Sequence, residues 1–289
     1  MKRAGAQVWL ALGGVLLFWP SAFVGIRIGL RTFTPGHLVL LRFVVASIVL
    51  AVYALLTRMP FPDRRDLPAL AMVGFTGIAL YQVLLTYGEM TVNAGTASFL
   101  IATGPIFTAL FAVAFAGERL KAWGWAGVII GFAGGVLIAL GEGGGLRVSM
   151  GAMLILGAAV ATAAFNVVQK RLLEKYTALQ VMAFAMWTGT ALMLVFSPGL
   201  LSAVRSVPLK ATLVIVYLGV FPAALAYVLW SYLLSKMPAS VCGSFLYLIA
   251  PIATVMGWIA LGETPALISL LGGSVSLAGV VVLIRLGRS

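Results

Sequence analysis

Long apolar runs alternate with short polar segments along this chain. Ten of the runs approach the length of a membrane-spanning helix, which needs roughly 20 apolar residues. They lie near 8–29, 37–56, 67–87, 94–116, 122–140, 150–171, 178–197, 210–232, 239–261 and 266–285. The pattern predicts an all-α polytopic membrane protein with ten transmembrane helices.

The charged residues fall between the runs, and they are sorted unevenly. If the N-terminus is cytoplasmic, most of the 19 Lys and Arg residues lie on the cytoplasmic side of the predicted spans. Cytoplasmic loops of membrane proteins carry such an excess. The sequence therefore predicts a multi-pass membrane protein with both termini in the cytoplasm.

One apolar segment is nearly repeated in the second half of the chain. SFLIATGPIFTALFAVAFAGE runs from Ser98 to Glu118, and SFLYLIAPIATVMGWIALGE runs from Ser244 to Glu263. A Gly-rich stretch at 141–145 divides the chain into two predicted repeats, 1–141 and 146–289. Each repeat holds five spans, an odd number, so the second enters the membrane from the opposite side. Inverted repeats of this kind give many secondary transporters alternating access to a central cavity.

Composition narrows the classes of function. The chain is 62% hydrophobic and 9% charged, whereas soluble domains carry about 25% charged residues. The net charge of +12 is spread between spans, so we expect no nucleic-acid partner. The single Cys242 and single His37 form no metal cluster and no nucleophile–base pair. We therefore expect no enzyme activity and no cofactor.

Both repeats resemble the EamA-type domain of the drug/metabolite transporter superfamily. The matching positions are Ala94, Ala97, Ser98, Leu100, Pro105, Gly117 and Glu118 in the first copy and Ser240, Ser244, Leu246, Pro251, Gly262 and Glu263 in the second. Phe18 to Phe23 also resembles the family's opening span, with Pro20 replacing a usual Gly, and Leu41-Arg42-Phe43 resembles its second span.

The resemblance implies a central cavity lined by spans one, three, four, six, eight and nine. Among members, the chain is most similar to bacterial amino-acid and metabolite exporters, of which the YddG-type aromatic amino acid exporters are one group. The resemblance implies a small-molecule substrate and the lipid bilayer as partners, and no obligate protein partner. Exporters of drugs or hydrophobic cations and carriers of nucleotide sugars or sugar phosphates belong to the same superfamily and stay open as alternatives.

Polar and aromatic residues at helical spacing mark candidate cavity walls. Aromatic rings stack on flat apolar groups, and an inward-facing Arg42 pairs with a carboxylate. Helix packing, core filling and snorkelling of Arg42 to the interface are the alternatives. The candidate substrate-binding residues are Trp19, Phe23, Arg42, Tyr81, Gln82, Ser98, Phe165, Asn166, Tyr227, Ser244 and Tyr247.

Four residues are candidate hinges. A proline inside a helix frees a backbone carbonyl in the preceding turn, and gating needs positions that absorb backbone change. The candidates are Pro20, Gly104, Pro105 and Pro251.

All seven acidic residues lie at span ends or in loops of this topology. Proton-coupled carriers commonly use a carboxylate inside the membrane. The sequence therefore predicts a facilitative carrier, or one coupled through substrate exchange.

Overall fold

The computed structural model describes residues 6–116, 120–142, 149–236 and 245–286. Its regular elements are helices. They are α1 (Ala6–Gly29), α2 (Pro35–Leu56), α3 (Leu67–Gly74), α4 (Tyr81–Gly88), α5 (Ala94–Ile101), α6 (Gly104–Ala116), α7 (Ala122–Glu142), α8 (Met150–Leu172), α9 (Ala178–Met193), α10 (Leu200–Ser206), α11 (Leu209–Val220), α12 (Ala226–Lys236), α13 (Ile249–Leu261) and α14 (Leu267–Leu286).

Within these ranges, seven helical stretches are long and apolar enough to cross a membrane. They are Ala6–Gly29, Pro35–Leu56, Arg64–Gly88, Ala94–Phe111, Met150–Leu172, Ala178–Phe196 and Leu209–Leu233. Three shorter apolar helices, Ala122–Ile138, Ile249–Leu261 and Leu267–Leu283, accompany them. The prediction of an all-helical membrane protein is confirmed.

Short polar side chains fix the starts of several helices. Thr34, Asn93, Ser149 and Thr177 each precede a helix in extended backbone conformation, and each side chain accepts a hydrogen bond from a backbone N–H of the first turn. Such caps satisfy donors that the helix itself leaves unpaired. In an apolar bundle they define where each loop ends and each helix begins.

Two helices are interrupted by a π-helical segment at equivalent places in the two halves. Phe75–Leu80 joins α3 to α4, and Phe221–Leu225 joins α11 to α12. π segments are rare, and they occur frequently at functional sites. A separation of 146 positions relates three pairs of residues: Phe75 and Phe221, Tyr81 and Tyr227, Pro105 and Pro251.

Four buried apolar clusters lie among the described residues, and two of them are large. The first, around Ile26, Leu38 and Leu100, draws mainly on α1, α5 and α8. The second, around Phe43 and Met186, draws mainly on α2, α3 and α9. Tyr81 packs against the first cluster and Tyr227 against the second.

The polar contacts at one end of the bundle join two loops. Lys175, after α8, bonds Asp63 and also Asp66 at 2.7 Å, and the Tyr176 hydroxyl donates to Asp66 at 2.6 Å. Hydrogen bonds to Asp63 and then Asp66 raise the pKa of the Lys175 ammonium. We call this end, where α2 and α8 finish, the Lys175 end, and the opposite end, where α1 and α4 finish, the Arg27 end.

Glycines allow α7 and α14 to pack with their backbones in contact. A Cβ on Gly134 would lie 2.4 Å from the Ser276 nitrogen and 2.5 Å from the Gly272 oxygen. A Cβ on Gly127 would lie 2.7 Å from the Gly279 oxygen. Small residues permit such close approach in membranes. We call this contact the glycine seam.

The seam gives a first prediction. Gly134→Ala forces a methyl group against two backbone atoms, so we expect the free energy of unfolding to fall by about 1–3 kcal/mol, as overpacking does. Gly13→Ala is the matched control, because no atom lies within 4 Å of a Cβ at Gly13. The measurement is equilibrium unfolding in mixed micelles. Equal stability of the two variants would show that α7 and α14 accommodate the added methyl group.

Candidate functional site

Arg42 lies in the interior of the bundle, on α2. It is only 4% exposed, and its Nη1 donates to Gln82 Oε1 at 3.2 Å. The guanidinium also lies 5.1 Å from the centre of the Phe43 ring, and its Nε has no hydrogen-bond partner. Arg42 therefore points inward and does not snorkel. A buried guanidinium stays charged, so it favours an anionic partner.

The two tyrosines that follow the π segments face this guanidinium. Tyr81 on α4 and Tyr227 on α12 both interact electrostatically with Arg42 and with each other. Each π segment inserts an extra residue in the turn before its tyrosine, which changes the direction in which the following helix presents its side chains. The structure thus brings together the candidates Arg42, Tyr81, Gln82 and Tyr227.

A tryptophan from α1 extends this group. The Trp19 ring lies 5.5 Å from the Tyr227 ring, nearly edge-on, and 5.3 Å from the Trp230 ring. Trp230 is not among the candidates named from the sequence. Its position three residues after Tyr227, on the same helix face, is the signal that could have found it.

Phe165 on α8 occupies the place that corresponds to Trp19, since the two are 146 positions apart (19 to 165). Its ring packs on the first π segment, where a Cβ on Gly77 would lie 2.1 Å from Phe165 Cδ2. Gly77 is therefore required for this approach. Trp19 of the first half thus lies beside the helix that follows the second π segment. Phe165 of the second half packs on the first π segment.

Three further candidates take structural positions. Phe23 is 6% exposed and belongs to the first apolar cluster. Ser98 donates to Gly95 O at 2.5 Å and reaches Ala250 O at 3.4 Å, so it joins α5 to α13.

Asn166 also joins two helices, because its Nδ2 donates to the Thr108 hydroxyl of α6 at 3.2 Å while its Oδ1 accepts from Gln169 at 3.1 Å. The prediction at Ser244 lies outside the described residues. Tyr247 falls in a 3-10 turn, Leu246–Leu248, and its side chain is likewise outside the described set.

The candidate hinges differ in their local structure. Span four is broken, because α5 ends at Ile101 and α6 starts at Gly104, with Pro105 in its first turn. Pro251 lies in the first turn of α13, directly after the 3-10 turn. Both prolines therefore begin helices, where a missing N–H is tolerated. α1 runs through Pro20 without interruption.

An ion pair closes the Arg27 end. Arg27 Nε lies 2.8 Å from Glu263 Oε1, and Arg27 Nη1 donates to Glu89 O at 2.6 Å. Glu263 Oε2 accepts from Ala94 N at 3.0 Å. We call this group the Arg27–Glu263 lock. It joins α1, the end of α4, the start of α5 and the turn after α13, and it borders a pocket of about 160 Å³.

Glu89 corrects the expectation drawn from the acidic residues. The sequence places it at a span end, and it does follow α4 directly. Its side chain is nevertheless fully buried, and neither carboxylate oxygen has a hydrogen-bond partner. The sequence signal for this burial was the preceding Gly88. A Cβ there would lie 2.8 Å from Gly151 O, so this end of α4 packs tightly on α8.

A larger groove lies elsewhere, between α1, α11 and α13. It has a volume of about 510 Å³ and is lined mostly by apolar side chains, with the Ser21–Tyr217 hydroxyl pair, 2.7 Å apart, and Lys210 as its polar members. None of the eleven candidate substrate-binding residues lines it.

Apolar helices long enough to cross a membrane, around a buried polar centre, define a polytopic membrane protein. The model of the EamA-like transporter family matches the chain twice, at residues 7–140 and 149–285. The chain belongs to this family. The predictions of a transporter and of the family are thereby confirmed.

Individual relatives span almost the whole chain. It is 40% identical over 280 residues to the uncharacterized transporter YdfC of Bacillus subtilis, covering 97% of this chain and 92% of that protein. It is 40% identical over 290 residues to the probable terminal-alkyne amino-acid exporter of Streptantibioticus cattleyicolor, covering 100% and 97%. It is 29% identical over 282 residues to the uncharacterized inner membrane transporter YedA of Escherichia coli, covering 96% and 90%.

A solved crystal structure shares the fold. It aligns with a TM-score of 0.66 at 19% identity and covers 98% of this chain and 99% of its own. At this identity the likeness concerns the fold alone.

The lock gives a second prediction. Arg27 and Glu263 are 26% and 16% exposed, so their pairing is partly screened by solvent. A double-mutant cycle with Arg27→Gln and Glu263→Gln, measured by unfolding, should give a coupling energy of about 0.5–1 kcal/mol. The more exposed pair of Lys175 and Asp63 is the comparison, for which we expect a smaller value. Additive effects at Arg27 and Glu263 would mean that the ion pair between them contributes no stability.

Proposed function

We propose that this protein exports amino acids and related small metabolites across the bacterial inner membrane by alternating access, with aromatic amino acids favoured. The observation that carries the proposal is the buried guanidinium of Arg42 beside Tyr81 and Tyr227, the residues that follow the two equivalent π segments. The name of the Streptantibioticus cattleyicolor relative, a probable amino-acid exporter, supports the substrate class.

The proposed architecture is ten membrane helices in two inverted five-helix repeats, 1–141 and 146–289, around a central cavity. The constant separation of 146 positions between equivalent residues supports the duplication. An odd number of spans per repeat inverts the second, and the distribution of Lys and Arg favours both termini inside. The Arg27 end then faces outward, and the Lys175 end faces the cytoplasm.

The polar centre fits a substrate with a carboxylate and an apolar side chain. The free Nε of Arg42 is a charge-assisted donor for a carboxylate oxygen. The rings of Trp19 and Tyr227 offer faces and edges against which an aromatic or large apolar side chain packs. Phe165 and Gln82 complete the proposed wall, to which the candidates Ser244 and Tyr247 also belong in our proposal.

Alternating access requires the two ends to open in turn. In this structure the lock joins four elements at the Arg27 end, so that end is the closed one in our proposal. The break at Gly104-Pro105 and the helix start at Pro251 are the proposed hinges. Facilitative transport stays a prediction. It was based on the lack of a carboxylate inside the predicted spans, and the buried side chain of Glu89 weakens that basis.

The alternatives differ in the charge they require. A carrier of sugar phosphates needs several cations in its cavity, whereas Arg42 is the one buried Lys or Arg among the residues that the structure describes. Exporters of hydrophobic cations need no buried guanidinium, which would repel the substrate. Both alternatives are therefore less favoured by the polar centre than an amino acid.

Counterflow in liposomes tests the substrate. With purified protein in liposomes preloaded with unlabelled phenylalanine, we expect uptake of labelled phenylalanine. Trp19→Ala should lower this uptake about fivefold, because an aromatic contact of about 1 kcal/mol is lost. Trp123→Ala is the matched control, since Trp123 is 62% exposed. Transport of a quaternary-ammonium dye or of a sugar phosphate, with no transport of amino acids, would overturn the proposed substrate.

Cysteine labelling tests the inverted topology. The loops after α2 and after α9 occupy equivalent places in the two halves, and both Thr57 and Ser206 are exposed. In a Cys242→Ser background, we expect an impermeant maleimide to label Ser206→Cys but not Thr57→Cys in intact cells. Lysed cells provide the control in which both label, and labelling of both in intact cells would contradict the inversion.

A further inference from the structure

The buried carboxylate of Glu89 is not used by the function proposed above. Its side chain has no exposed surface, and both oxygens lack a hydrogen-bond partner. Thr86, three residues earlier on the same face of α4, also has a buried hydroxyl without a partner. An unpaired acidic group inside a membrane bundle marks a functional site by default.

Several charged and titratable groups surround Glu89. Arg42 on α2, Arg27 on α1 and Glu263 after α13 interact with it electrostatically, as does Tyr81 on its own helix. The backbone of Glu89 also belongs to the lock, since its carbonyl accepts from Arg27. Glu89 therefore lies between the polar centre around Arg42 and the closed end of the bundle.

A carboxylate in this position needs a cation beside it. An ionised carboxylate without hydrogen bonds in an apolar interior costs several kcal/mol, and it becomes stable when a proton or another cation joins it. The Glu89 side chain has no exposed surface, so the cation that fits beside it in this conformation is a proton. When the Arg27 end or the opposite end opens, a larger cationic group gains access.

Arg42 supplies the complementary charge. It stays protonated at any physiological pH and has a free Nε donor. A buried donor and a buried acceptor of opposite charge match the two ends of a zwitterion, whose carboxylate pairs with the guanidinium and whose ammonium pairs with the carboxylate of Glu89.

We propose that Glu89 binds a proton in the empty carrier and the ammonium group of an amino acid in the loaded carrier, while Arg42 binds the amino acid's carboxylate. This inference rests on the proposed function. As the ammonium arrives, the Glu89 O–H bond breaks and its proton passes to water on the open side. After the amino acid has left on the other side, Glu89 takes a proton from water there. One proton moves inward for each amino acid exported.

The first test needs no substrate. Infrared difference spectra of the purified protein, recorded as a function of pH, should show the carbonyl band of a protonated buried carboxyl that disappears at high pH. The band should be absent in Glu89→Gln and present in Glu174→Gln, the same change at an exposed acid. If Glu89→Gln leaves the spectra unchanged, Glu89 binds no exchangeable proton and the inference is wrong.

The second test follows proton release in weakly buffered detergent solution. Binding of phenylalanine should release about one proton, and its affinity should rise about tenfold per pH unit until Glu89 is ionised. Glu89→Gln should abolish proton release and the pH dependence, whereas Glu89→Asp should retain both. 3-Phenylpropionate, which lacks the ammonium, should bind without releasing a proton.

The outcomes separate the two proposals. Phenylalanine binding with no proton release, or with the same release in Glu89→Gln, overturns the assignment of Glu89 while the exporter stands. A Glu89 carboxyl band in the first test, with no binding of phenylalanine, tryptophan or leucine, contradicts the amino-acid substrate while the proton site stands. Thermal unfolding of each variant confirms that the fold is intact.

Discussion

A guanidinium that cannot lose its proton, held away from water, is the constraint on which the interior of this protein depends. Arg42 has one hydrogen bond, to Gln82, it lies 5.1 Å from the centre of the Phe43 ring, and it interacts electrostatically with Tyr81 and Tyr227. A charge in this position is unfavourable unless an anion accompanies it. The carboxylate of the proposed substrate provides that anion. The stability and the selectivity of the bundle thus involve the same charge.

Much of the fold was predictable because membranes restrict the choices. Apolar runs of the right length can only be helices in lipid, so the positions of α1, α2 and α8 follow from the sequence pattern. The repeated Ser-Phe-Leu segments likewise indicated equivalent helices. The breaks at Gly104 and before Pro251 lie where the prolines indicated them. The π segments were not predictable, because they depend on the packing of neighbours such as Phe165 on Gly77.

The candidate site was predictable in its residue types and less so in its contacts. Arg42, Gln82 and the two tyrosines were identified from their places inside spans, and the structure brings them together. Ser98 and Phe23 have the same residue types but serve helix packing, a distinction that requires the facing helix to be known. Glu89 lies at a helix end, as the sequence indicated, but chain position does not tell whether that end is covered.

The glycine seam has a consequence for how such a carrier moves. A contact made of backbone and very small side chains has few rotamers to order, so its formation carries little entropic penalty. At Gly127 and Gly134 the facing backbone is so close that any added side chain would collide with it. We therefore expect α7 and α14, one helix from each half, to move as one unit. Conformational change is left to the helices around Arg42, and substitutions in the seam should alter lifetime and folding yield before they alter substrate preference.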